Sequence, residues 1–126
     1  MALRKQYHFR PGRDGLRAWD VHRLIALAHV LPVREVPLAA IAEIDEAYWF
    51  AHGEAPTSRA VANHARLIAE ADLAFPILLS ADGRVMDGMH RVARALILQR
   101  ATLPARQFVE DPPPDHVGVA PEDLPY

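Results

Sequence analysis

The sequence contains no cysteine, no long apolar run and no excess of basic residues. Without cysteine, the 126-residue chain has no disulfides, thiolate metal sites or thiol nucleophile. The formal net charge is -2, which argues against a domain that depends on non-specific affinity for nucleic acid. The net charge does not exclude a local basic patch. Residues 1–20 lack the apolar core of a signal peptide, and no run approaches the length of a membrane span. We therefore expect a cytoplasmic protein without membrane contact.

The composition is that of a globular protein, with 51% hydrophobic and 24% charged residues. A chain of this length is typical of one domain that buries a core, so residues 1–126 are interpreted as a single domain. Residues 1–16 are polar and contain glycine, which predicts an arm or loop. Residues 111–126 are rich in proline, which predicts an extended tail without regular structure. That tail is either a surface for a protein partner or a second copy, or a passive strap.

Three segments have the apolar spacing of amphipathic helices. The first has Asp20 as N-cap, and its predicted apolar face comprises Val21, Leu24, Ile25 and Ala28. The second has Thr57 as N-cap, and its predicted apolar face comprises Val61, Ala65, Ile68 and Ala69. The third runs from Met89 to Gln99, with Val92, Ala95 and Leu96 on its buried side.

Short apolar runs between these helices predict strands. The run "FPILLS" is typical of a buried strand, "ADGR" of a tight hairpin turn and "VM" of the returning strand. A run near Val36 and the segment "LPARQFV" predict two more strands. Helices alternating with short strands indicate an α+β domain with a small mixed sheet.

The stretch "VMDGMHRVARAL" leads from a strand through Asp87 and Gly88 directly into a helix. The first N–H groups of a helix have no intrahelical partner, and the helix dipole favours negative charge there. Arg91 offers a fork of donors for a phosphate, His90 a switchable donor, and Gly88 a close approach to the backbone. Asp87 is unusual beside an anion and suggests a magnesium ligand, a hydrogen bond to substrate or a helix cap. The alternative is an ordinary turn followed by solvated charges.

The stretch "PILLSADGRVMDGMHRVARAL", followed by "LPARQFVEDPPPD", resembles the ParB/sulfiredoxin superfamily. In that superfamily a hairpin leads into a helix start that binds nucleotide phosphates. The resemblance covers roughly residues 33–110, and its specific part is residues 87–91. It implies a ParB/sulfiredoxin-like fold that binds ATP, ADP or CTP with Mg²⁺ through Gly88, Met89, His90 and Arg91.

The sequence departs from two members of this superfamily, and each departure reduces the number of functions that the resemblance implies. Met89 stands where sulfiredoxin carries its reactive cysteine, so repair of sulfinic acids is excluded. His90 replaces the first arginine of the ParB motif, and the helix-turn-helix and dimerisation regions of chromosome-partitioning ParB do not follow. A DNA-associated, ParB-like role is therefore the weakest of the functional hypotheses.

Free-serine kinases of this superfamily share the Asp-Gly-x-His-Arg pattern. The resemblance implies a small-molecule phosphotransferase or nucleotide hydrolase, in which Arg91 holds phosphate oxygens, His90 stabilises developing charge and Asp87 positions the metal or the acceptor. A carboxylate is needed to take the acceptor's proton, and Glu43 and Glu46 are the candidates, both expected on an exposed face. The alternative is a module that senses a nucleotide or binds a protein without turnover.

Two further groups of residues each have a functional and a structural interpretation. They lie in the second helix and in the "YWF" triplet at 48–50. Thr57, Ser58 and Arg59 form either another wall of the phosphate site or an ordinary capped helix start. His64 is either a core histidine or a ligand. The three adjacent aromatic side chains cannot all point inward, so they either pack under the N-terminal segment or stack on a base.

Overall fold

Two small β-sheets and three α-helices make up residues 6–51 and 53–126, which the computed structural model describes. The first sheet is antiparallel, in the order β1-β2-β7, and consists of β1 (Tyr7–Gly12), β2 (Gly15–Asp20) and β7 (His116–Val117). The second has the order β3-β6-β4-β5 and consists of β3 (Arg34–Pro37), β4 (Ile77–Leu79), β5 (Val85–Asp87) and β6 (Thr102–Gln107). It is mixed, because β4 and β6 run parallel while the other pairs are antiparallel. The predicted α+β class is confirmed.

The helices are α1 (Val21–Ala28), α2 (Ser58–Glu70) and α3 (Met89–Ile97). Both predicted N-caps are confirmed: the Asp20 side chain accepts the N–H of His22 at 2.9 Å, and the Thr57 hydroxyl accepts the N–H of Ala60 at 3.1 Å. Among the described residues, no helix is long and apolar enough to cross a membrane.

The expectation of an N-terminal arm or loop over residues 1–16 is wrong for its described part. Residues 7–20 form a hairpin with a tight turn at Arg13 and Asp14, where Gly15 adopts a φ of 117°. Residues 1–5 of the expected arm lie outside the described residues. The hairpin buries His8 and Trp19, so it is part of the core structure.

The proline-rich tail lies along this hairpin. Its short strand β7 pairs with β2, the carbonyl of Pro112 accepts the indole N–H of Trp19 at 2.8 Å, and Leu124 near its end is buried. The expectation that residues 111–126 have no regular structure is wrong, because they contain β7 and a 3₁₀ turn over Pro121–Asp123. The tail acts as a strap within the chain, and a role in binding a partner or second copy stays a prediction.

The mixed sheet is covered on both faces, which explains why β4 is apolar at every position. On one face, α3 and the segment at 38–41 pack against the sheet; the buried side chains there are Leu38, Ile41, Ile77, Leu79, Val85, Met89, Val92, Ala95, Leu103 and Ala105. On the other face, the hairpin and α1 contribute to a second cluster of Trp19, Leu24, Ala28, Leu78, Met86 and Phe108. The alternation within β4 and β5 therefore divides the core into two layers.

Helix α2 lies on the surface and has no buried residue. Of the predicted face, Val61, Ala65 and Ala69 are exposed and only Ile68 is half-buried. The other half-buried residues of α2 are Ala60 and His64. The predicted faces of the other two helices are also too wide, because Ile25 in α1 and Leu96 in α3 are both about half exposed. Each helix packs against the rest of the fold on one side only. The stripe of side chains that becomes buried is therefore narrower than the apolar pattern of the sequence suggests.

Candidate functional site

The sharp turn from β5 into α3 depends on Gly88. Its φ is 103°, and a Cβ at this position would lie 2.7 Å from Cγ2 of Ile77 and 2.8 Å from Nη2 of Arg91. Only glycine fits both the backbone conformation and the space. Among the described residues no side chain caps the helix, so the Asp87 cap considered from the sequence is absent. The N–H of Arg91 donates to the carbonyl of Gly88 at 3.0 Å.

The guanidinium of Arg91 folds back over Gly88. Its Nη2 donates to Oδ2 of Asp87 at 2.9 Å, and its Nη1 donates to the carbonyl oxygens of Phe75 and Pro76 at 3.3 Å each. The Asp87 and Arg91 side chains are only 20% and 18% exposed, so water screens this ion pair less than a pair at the open surface. Asp87 therefore fixes the direction of Arg91 at the helix start.

A groove of about 360 Å³ lies in front of this helix start. Its polar lining consists of Asp87, Gly88, His90, Arg91, Glu70 and Asp72. Four of these residues were predicted together from the sequence, and the fold does bring them to one groove. The lining carries three carboxylates, those of Asp87, Glu70 and Asp72, and one guanidinium, so a bare anion would meet repulsion unless a divalent cation accompanied it.

His90 pairs with a histidine of another helix. Its Nε2 lies 2.9 Å from Nδ1 of His64, and the indole of Trp49 stacks on both rings at centroid distances of 4.5 and 4.7 Å. Burial lowers the pKa of His90 most, the nearby His64 and Arg91 lower it further, and Asp87 opposes them. His90 is therefore neutral at pH 7 and acts there as a hydrogen-bonding group.

Glu43 and Glu46 gather around Arg84, on the other side of β5. Both oxygens of Glu46 accept from the Arg84 fork at 2.6 and 2.7 Å, and this hydrogen bonding lowers the pKa of Glu46. The expectation that Glu43 is exposed is wrong, because its residue is 1% exposed. The segment forms a 3₁₀ turn over Ala42–Asp45, not the predicted helical face, and this turn directs Glu43 inward.

Glu43 is incompletely paired in its buried position. Its Oε2 accepts the backbone N–H of Val85 and lies 3.6 Å from Nε of Arg84. Its Oε1 is shielded from solvent and has no hydrogen-bond partner in the described part of the chain. An unpaired buried carboxylate oxygen costs free energy, so this atom requires a donor or a functional reason.

A cavity of about 420 Å³ lies beside Glu43, between the N-terminal hairpin and Arg84. The hairpin contributes His8 and Arg10, and Tyr48 forms another part of the wall. Nε of Arg10 donates to Nε2 of His8 at 3.0 Å, while its Nη2 donates to the Ser80 hydroxyl at 2.9 Å. Burial, followed by the charge of Arg10, lowers the pKa of His8 to about 4.

The sequence interpretation missed His8 and Arg10 because it treated their segment as a loop. The signal was the Asp14-Gly15 pair between runs that carry aromatic residues, which is typical of a hairpin. It also missed the pairing of His64 with His90, which are 26 positions apart and share no local pattern.

The groove and the cavity are neighbours along β5. Val85, which binds Glu43, precedes Asp87 by two residues, a distance of about 7 Å along a strand. Burial raises the pKa of Tyr48 first, and the charges of Glu43 and Asp87 raise it further. The Tyr48 hydroxyl thus lies in the electrostatic field of both regions.

The remaining predicted site residues lie elsewhere. Met89 is 8% exposed and its side chain belongs to the hydrophobic core, so only its backbone is at the helix start. Thr57, Ser58 and Arg59 are exposed at the opposite end of α2 from the groove. Within residues 6–51 and 53–126, no hydrogen bond or ion pair joins them to the groove.

Comparisons of the chain with protein-family models, with curated proteins and with solved structures find no match. The resemblance to the ParB/sulfiredoxin superfamily therefore stays a prediction from the short motif at 87–91. The geometry of the groove and the cavity is the basis for the functional proposal.

Proposed function

We propose that the chain binds a nucleotide, or another phosphorylated small molecule, at the start of α3. The observation that carries this proposal is the convergence of an uncapped helix N-terminus, the Arg91 guanidinium and the neutral His90 ring on one groove. Backbone N–H groups and an arginine fork are the donors that phosphate oxygens prefer. ATP, ADP and CTP are the ligands that the motif favours.

Magnesium fits this groove as a companion of the phosphates. Oδ2 of Asp87 is held by Arg91, which leaves Oδ1 available, and Mg²⁺ is commonly bound by one or two carboxylates together with phosphate oxygens. The described residues contain no group of three or more side chains that could hold a metal ion alone. The ion would therefore arrive with the nucleotide, and when bound it would neutralise phosphate charge.

The proposed chemistry is transfer of a phosphoryl group to a small acceptor, or to water. Glu43 is the proposed base, because it borders a cavity whose lining includes Val85, two residues before Asp87 of the groove, and one of its carboxylate oxygens has no partner among the described residues. An acceptor hydroxyl that enters this cavity would supply the missing donor and lose its proton to Glu43. Arg91 would hold phosphate oxygens while His90 donates a hydrogen bond to the charge that develops. Glu46 is less suited, because Arg84 occupies both of its oxygens.

The alternative is a module that binds a nucleotide without turnover and acts through a partner. The specific observation in its favour is the shielding of Oε1 of Glu43, because a base must reach its substrate. Net charge continues to argue against a role on DNA.

Binding is tested first by thermal unfolding with ATP, ADP, CTP and GTP, each with and without Mg²⁺. A ligand at one hundred times its Kd adds about 2.7 kcal/mol to the free energy of unfolding, which shifts the Tm by several degrees. We expect a shift with at least one nucleotide, lost in Arg91→Ala and kept in Arg100→Ala, which removes an exposed arginine outside the groove. No shift with any nucleotide, or an unchanged shift in Arg91→Ala, would contradict the proposal.

Turnover is tested separately with the nucleotide that binds. Phosphorus NMR follows phosphoryl transfer to water and to a panel of small alcohols and hydroxy acids. Glu43→Gln is expected to bind the nucleotide and to lose transfer, because an amide keeps the shape and lacks the base. Binding without transfer in the unmodified protein would favour the sensing module.

A further inference from the structure

Trp49, His64 and His90 form a stacked cluster, here called the histidine clasp, which joins three separate segments. Trp49 belongs to the 3₁₀ turn at Tyr48–Phe50, His64 to α2 and His90 to α3. The indole lies within 15° to 19° of parallel to both imidazoles, and the two imidazole planes differ by 23°. Phe50 adds an edge-to-face contact on His64 at 5.6 Å.

The hydrogen bond between the histidines limits how many protons the pair can carry. A neutral imidazole has one N–H, so one ring donates across the 2.9 Å contact and the other accepts. One added proton makes the donor ring a cation and preserves the bond. A second added proton places an N–H on both facing nitrogens, so the bond is lost and two positive charges are adjacent.

The clasp is one of the contacts that dock α2 against α3. This helix buries none of its residues, and in the described residues its C-terminal end is held by a hydrogen bond from Nη1 of Arg94 to the carbonyl of Ala69, at 2.7 Å. Helices of this length are marginal in water without tertiary contacts. Loss of the contact between His64 and His90 would therefore weaken the docking of α2.

The charged groups around His64 and His90 have opposite effects on the protonation of His90. Arg91 on α3 opposes a positive charge on His90, and Asp87 at the end of β5 favours it. Glu70 and Asp72 lie along the same groove as His90, and the Tyr48 hydroxyl is the titratable group of the turn that carries Trp49. Burial of His90 outweighs Asp87 and lowers the pKa of His90. Because two adjacent positive charges repel, the second proton should enter the pair at lower pH than the first.

We propose that the histidine clasp is a proton-operated latch, which holds α2 against α3 until both His64 and His90 are protonated and then releases it. Release would widen the groove at the start of α3, because Leu67 and Glu70 of α2 form one of its sides. The latch depends on contacts within the chain and does not require that the groove binds a nucleotide.

Hydrogen exchange on the full chain between pH 7 and pH 4.5 tests the latch. Protection factors are compared for amides of α2 and of β6, with the intrinsic dependence of exchange on pH removed. Opening coupled to uptake of one proton should lower the protection of α2 by up to about tenfold per pH unit between the ordinary histidine pKa and the lower second pKa of the docked pair, while β6 remains the more protected element. In His64→Gln, the amide can pair with His90 without titrating, so this decline should disappear. His22→Gln, which changes an exposed histidine of α1, should retain it.

Nitrogen-15 NMR of the histidine rings in the unmodified protein gives a second readout that requires no variant. The pair should take up its two protons in separate steps, with the second at lower pH and coincident with the loss of α2 protection. Independent titration of both rings at the ordinary histidine pKa would overturn the latch. Constant protection of α2 down to pH 4.5, or the same decline in His64→Gln, would also overturn it.

Discussion

His8 makes the stability of the folded chain depend on pH in a way that can be isolated from other groups. The residue is 9% exposed, and its Nε2 accepts a hydrogen bond from Arg10, so folding holds the ring neutral. The pKa is about 4 in the folded chain and 6.5 ordinarily. Between these values the unfolded chain binds a proton that the folded chain does not, so stability is lost as the pH falls from 6.5 towards 4. The difference corresponds to about 3 kcal/mol, a large share of the stability of a small domain.

Urea unfolding of the unmodified protein and of His8→Gln at pH 7, 5.5 and 4 measures this contribution. Glutamine is the matched variant, because its side-chain carbonyl can accept from Nε of Arg10 in place of the imidazole nitrogen. We expect the unmodified protein to lose about 3 kcal/mol more than His8→Gln between pH 7 and pH 4. Carboxylates and the other histidines titrate in both proteins, so their effects cancel in the difference. His22→Gln should follow the unmodified protein, and parallel curves for the unmodified protein and His8→Gln would refute the assignment of His8 as a buried neutral ring.

Two further predictions concern the backbone at the helix starts. Gly88→Ala should lower the free energy of unfolding by about 2 to 4 kcal/mol, because it combines a strained φ with a Cβ only 2.7 Å from Cγ2 of Ile77. Gly53→Ala has a similarly positive φ and nothing within 4 Å, so chemical denaturation should show a smaller loss, and equal losses would contradict the packing argument. Thr57→Ala should cost about 1 kcal/mol and raise hydrogen exchange in α2, because it removes the N-cap hydrogen bond. Ser58→Ala, which leaves the cap in place, is the control and should have less effect on both measurements.

The parts of the fold that the sequence predicts well are those determined by neighbouring residues. Asp20 and Thr57 act as caps within three positions of their partners, and the turn before β5 uses Gly83 at a φ of 85°. The turn at Gly88 belongs to the same class, so the predicted helix start at 87–91 is where the sequence places it. Short-range hydrogen bonds and backbone sterics suffice for such features.

The sequence does not predict the contacts between segments that are distant from each other along the chain. Arg10 reaches Ser80, a residue 70 positions away, and His64 reaches His90 across two helices. These contacts follow from the order of strands in the sheets, which periodicity does not specify. The predicted buried face of α2 was wrong for a related reason. An apolar stripe indicates that a helix packs against a partner, but it does not show how much of the stripe that partner covers.

Glu43 was expected to be exposed, and its burial is the most informative of the differences between the sequence predictions and the structure. An apolar residue at that position would fit the buried surroundings of Ile41 without the cost of desolvating a carboxylate. The N–H of Val85 and the partial approach of Arg84 offset only part of this cost, because Oε1 has no partner among the described residues. A buried carboxylate that opposes stability is expected where chemistry requires it, since a buried polar atom left without a partner calls for a functional explanation. For this reason the Glu43→Gln variant separates the two proposed roles: unchanged transfer would make Glu43 a structural residue and leave the groove as a binding site alone.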